Sequence, residues 1–205
     1  MKKMILMVAV LLSSATIYAQ HEVGTISLKP EVGMSIANYR GSDSGGSEAR
    51  LGLVAGAELE YQLSPKVSFT GGLLYAMEGS NVESADYSLR TEYVNIPLLV
   101  NVYLAKGFAV KAGIQPAFLT SAKLHGKANG LNVDVDFKDA YNSFDFAIPV
   151  GASYEINNFV IDARYNLSLT KAVKDNFAFN GQSFYSSNDF YNSVFQITLG
   201  YKFDL

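Results

Sequence analysis

The sequence predicts an all-β protein: an eight-stranded, antiparallel, up-and-down transmembrane β-barrel. Three observations predict it. Apolar and polar residues alternate with period two over long stretches, and the connections between those stretches alternate between tight turns and long polar loops. After the amino-terminal segment, no apolar run is long enough to cross a membrane as a helix.

The first element is not part of the barrel. Lys2 and Lys3 precede an apolar run from Met4 to Leu12 and a small-residue region ending at Ala19, the layout of a secretory signal peptide. The run is too short to span the roughly 30 Å hydrocarbon core as a helix. Residues 1–19 are therefore expected to be removed between Ala19 and Gln20, leaving 20–205 as one outer-membrane β-barrel domain. The chain contains no cysteine, so it has no disulfide, no thiolate metal site and no lipidated cysteine after the signal.

The strands follow in order. Ile26 to Tyr39 sets Ile26, Leu28, Val32, Met34 and Ile36 against Ser27, Lys29, Glu31, Gly33 and Ser35. Arg50 to Leu63 sets an apolar row from Leu51 to Leu63 against Arg50, Gly52, Gly56, Glu58, Glu60 and Gln62, and Val67 to Gly79 repeats the pattern more weakly. Thr91 to Leu104, Phe108 to Ser121, Ser143 to Ile156 and Phe159 to Thr170 each carry one apolar and one polar row. The last strand, Phe195 to Leu205, alternates without a fault. It ends the chain as a closing strand and as the expected signal for the barrel assembly machinery, although Leu205 stands where a terminal aromatic is usual. Pro30, Pro97, Pro116 and Pro149 fall inside these strands, and a closed barrel has no edge to accommodate a missing donor. Local bulges are expected there.

Ser64-Pro65-Lys66, Ala105-Lys106-Gly107 and Asn157-Asn158 are tight turns, whereas residues 40–49, 80–90, 122–142 and 171–190 are long and polar. Short turns on the periplasmic side and long loops outside suit an outer-membrane barrel, with both termini periplasmic. Alternation alone does not say which face is outside, because a soluble lipocalin-like ligand-binding barrel would turn the apolar row inward. The abundance of Gly, Ser and Ala on the polar rows suits a crowded interior. The apolar rows also carry no charge at membrane depth. Both points favour outer-membrane lipid as the surrounding medium.

On that reading the interior holds a mixed charge network of Lys29, Glu31, Arg50, Glu58, Glu60, Glu78, Lys111, Asp145, Glu155, Asp162, Arg164, Lys202 and Asp204. An eight-stranded barrel is wide enough only for its side chains, so these groups are expected to pair, with Arg164 bridging several carboxylates. A narrow small-solute or ion channel is the functional alternative. No catalytic, cofactor or metal residues are assigned, since His21 and His125 share no strand face with a suitable Ser or Asp. The formal net charge of -3 and the lack of a basic cluster exclude a nucleic-acid partner.

Two loops stand out. After the Asn129-Gly130 turn, Asn132, Asp134 and Asp136 alternate with apolar residues, as in a strand rising above the membrane. The run lacks the Gly and final Glu of an EF-hand calcium loop. Phe177, Phe179, Phe184, Tyr185 and Phe190 crowd the last loop, where they either pack over the barrel mouth or contact a partner.

Tyr93-Val94-Asn95-Ile96-Pro97-Leu98-Leu99, Ala112-Gly113-Ile114-Gln115-Pro116, Asp145-Phe146-Ala147-Ile148-Pro149-Val150-Gly151-Ala152 and Asp162-Ala163-Arg164-Tyr165-Asn166-Leu167 resemble the PorT-like outer-membrane β-barrel proteins of Bacteroidota. The resemblance spans most of the chain after the signal. It implies a porin-like barrel in a Gram-negative outer membrane and makes the proline-bearing strands family features. It also implies a secretion-apparatus protein as one partner class, because one named member of that family serves type IX secretion and gliding. It offers no catalytic residues. The expected function is structural or interactive and non-enzymatic.

Overall fold

The computed structural model describes residues 22–41, 47–82, 87–128, 131–179, 182–185 and 189–205. The signal segment 1–19 and the Asn129-Gly130 turn lie outside them. Among the described residues thirteen strands occur: β1 (Ile26–Arg40), β2 (Ser47–Ser64), β3 (Val67–Val82), β4 (Tyr87–Asn95), β5 (Leu98–Ala105), β6 (Phe108–Ala128), β7 (Leu131–Asp136), β8 (Phe144–Ile156), β9 (Phe159–Lys171), β10 (Asn176–Phe179), β11 (Gln182–Tyr185), β12 (Tyr191–Tyr201) and β13 (Phe203–Asp204). The ring runs β1, β2, β3, β4 with β5, β6, β8, β9, β12, and closes because β12 and β13 pair back onto β1. Every neighbouring pair is antiparallel, so the ring has eight walls and no free edge.

β4 and β5 are one wall, interrupted in its ladder at Ile96 and Pro97 yet in step on both sides, since Leu74 pairs with Asn95 and Gly71 with Leu98. The expected bulges at the prolines are not found. Pairing stays in step through Pro30, Pro116 and Pro149, and the register shifts lie elsewhere, between Ala49 and Val54, Gln62 and Ser64, Glu92 and Tyr93, Tyr103 and Ala105, and Tyr191 and Ser193. The reason is simple. A proline deletes one donor but adds no residue, so the count along the two strands is unchanged. The remaining backbone groups are used, with Gly72 N donating to Pro97 O at 3.0 Å and Ile96 N to Pro116 O at 2.9 Å.

One end of the barrel, the turn end, carries the tight connections. Asn157 and Asn158 both hold positive φ (46° and 72°), as a two-residue turn of the primed kind requires. At the other, the loop end, strands run further than alternation predicts: β2 and β3 extend to Ser47 and Val82, and β6 reaches Ala128 with β7 paired onto it.

Alternation separates the faces. Val32, Met34, Leu53, Leu73, Leu98, Ile114, Ile161, Ile197 and Leu199 point outward and are exposed, whereas Lys29, Glu31, Glu58, Lys111, Asp162 and Arg164 point inward and are buried. The lipocalin-like reading, which needs the opposite, fails on this point. Aromatic residues flank the outward aliphatic belt. Near the turn end Phe159 stacks edge-on against Tyr201 at 5.0 Å, with Phe203 beside it, and nearer the loop end Phe118 meets Phe144 at 5.6 Å. Such a belt between two aromatic girdles is what a bilayer selects. The inward glycines let walls and contents approach. A Cβ added at Gly33 would run into the carbonyl oxygen of Ile197 on the neighbouring strand.

Candidate functional site

The interior is filled by layers of side chains rather than left as a pore. Nearest the turn end, Lys202 Nζ lies 2.8 Å from Glu155 and 3.0 Å from Glu60. Glu60 also accepts from Tyr103 and, at 2.6 Å, from Ser68, while Asn101 donates to Ser68 and Thr70. These partners come from β2, β3, β5 and β8 and from Lys202 between β12 and β13, so the layer ties the ring across its lumen.

The middle layer holds three cations and three carboxylates. Lys29 Nζ reaches Glu58 at 2.7 Å and Glu31 at 3.0 Å, and Arg164 Nη2 reaches Glu58 at 2.8 Å and Asp162 at 3.4 Å. Lys111 pairs with Asp162, and Thr198 donates to Glu31 at 3.1 Å. All six charged groups are almost wholly buried. Arg164 sits at the centre because its planar fork addresses more than one carboxylate, where a lysine offers a single charge.

Toward the loop end the composition changes. Val54, Leu74 and Ala76 form a small apolar cluster. Beside it Asp145 accepts from Ser168, Thr170 and, at 3.2 Å, Asn192, and Glu78 accepts from Asn95 at 3.4 Å. Two residues of the expected network stand apart. Arg50 is half-buried, and its guanidinium donates to the backbone carbonyl of Glu78 rather than to a carboxylate. Asp204 is exposed at the turn end and accepts from Ser27 at 2.9 Å. Both lie near the ends of their strands, where the inward row leaves the filled lumen.

A plug closes the loop end. Tyr39, Tyr93, Leu119, Tyr141 and neighbouring alanines pack together, with Phe137, Val173 and Phe190 against them. Phe190 meets Tyr39 edge-on at 6.2 Å. The chain from Phe137, through a short 3-10 turn at Lys138–Ala140, is pinned over the mouth: Asn142 N donates to Ala172 O, Lys174 N to Ala140 O, and Ala172 N to Phe190 O. Lys171 binds Asp189 at 2.7 Å and Asp175 at 2.9 Å, and these hydrogen bonds raise its ammonium pKa. Of the loop aromatics, Phe190 belongs to this plug. Phe177, Phe179, Phe184 and Tyr185 lie on the β10 and β11 hairpin, and their side chains fall outside the described residues. The plug was not readable in advance, because its tyrosines and alanines come from five separate segments.

Beyond the apolar belt, β2, β3, β4, β6 and β7 continue as a projecting sheet. β7 is its last strand and pairs only with β6 among the described residues. The His125 ring donates to Asp134 across this pair at 2.6 Å and holds that carboxyl below the usual range, and Asp136 accepts from Lys138 N at 2.8 Å. The loop aspartates thus face local partners, and among the described residues no three acidic or imidazole groups gather as metal ligands.

Among solved structures, the chain is similar to Ail, the attachment invasion locus protein of Yersinia pestis, solved with the heparin analogue sucrose octasulfate. The TM-score is 0.52 and the identity 15%, over 89% of this chain and 100% of that one. It is similar also to Neisserial surface protein A, with a TM-score of 0.50 and 12% identity, over 87% of this chain and 97% of that one. At these identities the likeness concerns the fold alone. No curated protein sequence matches. The family model for the outer membrane protein beta-barrel domain matches residues 18–174. With a closed eight-walled ring, an outward apolar belt and a charged, filled interior, the chain belongs to the outer membrane protein beta-barrel domain family.

Proposed function

We propose that this protein is a non-enzymatic, non-conducting barrel that works as an interaction module, engaging another envelope protein through the sheet projecting from its loop end. The observation that carries this reading is the pairing of a blocked lumen with an open sheet edge. Three layers and a plug fill the interior, while β7 leaves a row of backbone donors and acceptors without a strand partner among the described residues. An exposed edge of this kind accepts an added strand. We assign the turn end and both termini to the periplasm, with residues 1–19 removed on export. The proline-bearing segments support a PorT-like role beside a secretion apparatus as the specific form of this reading.

A polyanion such as the heparin analogue bound by Ail is less well matched. Arg90 and Lys123 are neighbours on the projecting sheet, but Asp136 lies opposite Lys123 and Asp134 opposite His125.

Two measurements test the proposal. In planar bilayers the purified protein is expected to give no steady unitary conductance, and channels that vanish on Arg164→Ala substitution would instead establish the pore reading. In pull-downs, deletion of residues 129–136 is expected to abolish partner capture while heat-modifiable gel migration persists. Partners that stay bound without this segment place the interaction elsewhere.

A further inference from the structure

The loop-end layer differs from the other two in one respect: it lacks positive charge. Glu78 and Asp145 are 4% and 7% exposed, and among the described residues neither has an ion pair. Arg50, toward the same end, is turned to the Glu78 backbone carbonyl. Two buried carboxylates without a counter-charge are expensive in a medium of low polarity, and each of the other layers answers its carboxylates with lysine or arginine.

A second observation points into the same space. Glu78, Asn95, Gln115, Asp145 and Asn166 line a small cavity of about 10 Å³, room for one water-sized occupant. Asn95, Gln115 and Asn166 are each no more than 3% exposed, and Asn95 Oδ1, Gln115 Oε1 and Asn166 Oδ1 have no hydrogen-bond partner, nor does Asn166 Nδ2. The site thus has no counter-charge, and three of its buried amide oxygens are unanswered although the Asp145 and Glu78 carboxylates already accept from Ser168, Thr170, Asn192 and Asn95. A proton on one carboxyl would satisfy one acceptor, and a water could donate to two of the oxygens and accept from Asn166 Nδ2, but neither supplies a counter-charge to the two carboxylates. A cation satisfies all the converging oxygens together.

We propose that this cavity binds a single calcium ion, held by the Glu78 and Asp145 carboxylates and the amide oxygens of Asn95, Gln115 and Asn166. The donor set is oxygen only, which suits a hard cation. Two carboxylates neutralise a divalent ion. Five side chains, two of them able to bind through both oxygens, match the irregular shell of about 6–8 ligands that calcium accepts. Magnesium keeps much of its own water and demands a regular octahedron, and the cavity has no space for that shell. The ligands stand on β3, β4, β6, β8 and β9, so the ion would tie more than half of the ring together beneath the plug.

The test uses the full chain refolded in detergent with calcium chloride or with chelator. Protein refolded with calcium and desalted into chelator is expected to retain about one calcium per chain by elemental analysis, because the plug encloses the ion. It should also unfold at a higher temperature than protein refolded in chelator. Glu78→Gln, and independently Asp145→Asn, should lose both the bound metal and the temperature difference, whereas Glu60→Gln in the turn-end layer should keep both. Wild-type protein that retains no calcium and unfolds at the same temperature under both conditions overturns the proposal, leaving water or a carboxyl proton as the occupant. Undiminished calcium in the folded Glu78→Gln and Asp145→Asn variants overturns it equally. Should neither variant fold, the wild-type comparison alone decides.

Discussion

Replacing Arg164 by methionine is expected to cost the folded barrel about 3–5 kcal/mol, the usual penalty for removing one partner from a buried ion-pair cluster. The loss comes less from the bonds to Glu58 and Asp162 than from what remains: three buried carboxylates facing two lysines, with Glu58 deprived of its 2.8 Å contact. Unfolding in urea, followed by gel mobility of the lipid-reconstituted protein, measures it. The paired change of Arg164→Met with Glu58→Leu removes equal and opposite charges and should recover a substantial part of the loss, since an apolar pair of similar volume is tolerated where a lone charge is not. A single-variant loss below about 1 kcal/mol would mean that the middle layer is no better than a surface ion pair.

Ile197→Arg is expected to destabilise the protein in a bilayer by about 2–4 kcal/mol, against about 0–1 kcal/mol for Leu205→Arg. Ile197 faces outward in the aliphatic part of β12, whereas Leu205 lies at the end of the wall, beyond the Tyr201 and Phe203 girdle. Charge at the first position must be desolvated or dragged toward the interface; at the second it is already there. The same unfolding experiment in vesicles reads the difference, which should shrink in detergent. Equal costs at the two positions would remove the argument that the belt faces lipid.

The walls were legible because alternation is a local property. Each strand from Ile26 to Thr170 announces its inward row, and the asparagine pair at 157 and 158 announces a turn by its need for positive φ. The polar extensions of β2, β3 and β4 were not legible, since Ser80, Asn81 and Ser88 are polar on both faces once the strand leaves the apolar belt. Partner choice inside the lumen was hidden for a different reason. Which inward residues share a level depends on the stagger of the whole ring, so Lys29, which faces Glu58 within the first hairpin, meets Asp162 only after the ring closes. Leu74 and Val54 break the polar rows of their strands, and it is the register of the β2 and β3 pair that makes them neighbours.

The middle layer also has a bearing on the order of assembly. Of its six charges, the first hairpin contributes Lys29, Glu31 and Glu58, an excess of acid, and the later strands contribute Lys111, Asp162 and Arg164, an equal excess of base. Neither half of the nascent chain is neutral at that level by itself. Each becomes so when the last strand docks on the first and encloses both. A closure slipped by one residue would turn the inward charges toward lipid on one side and leave the other half unanswered. The layer therefore acts as a lock between the two ends of the polypeptide, one that rewards only the correct final pairing.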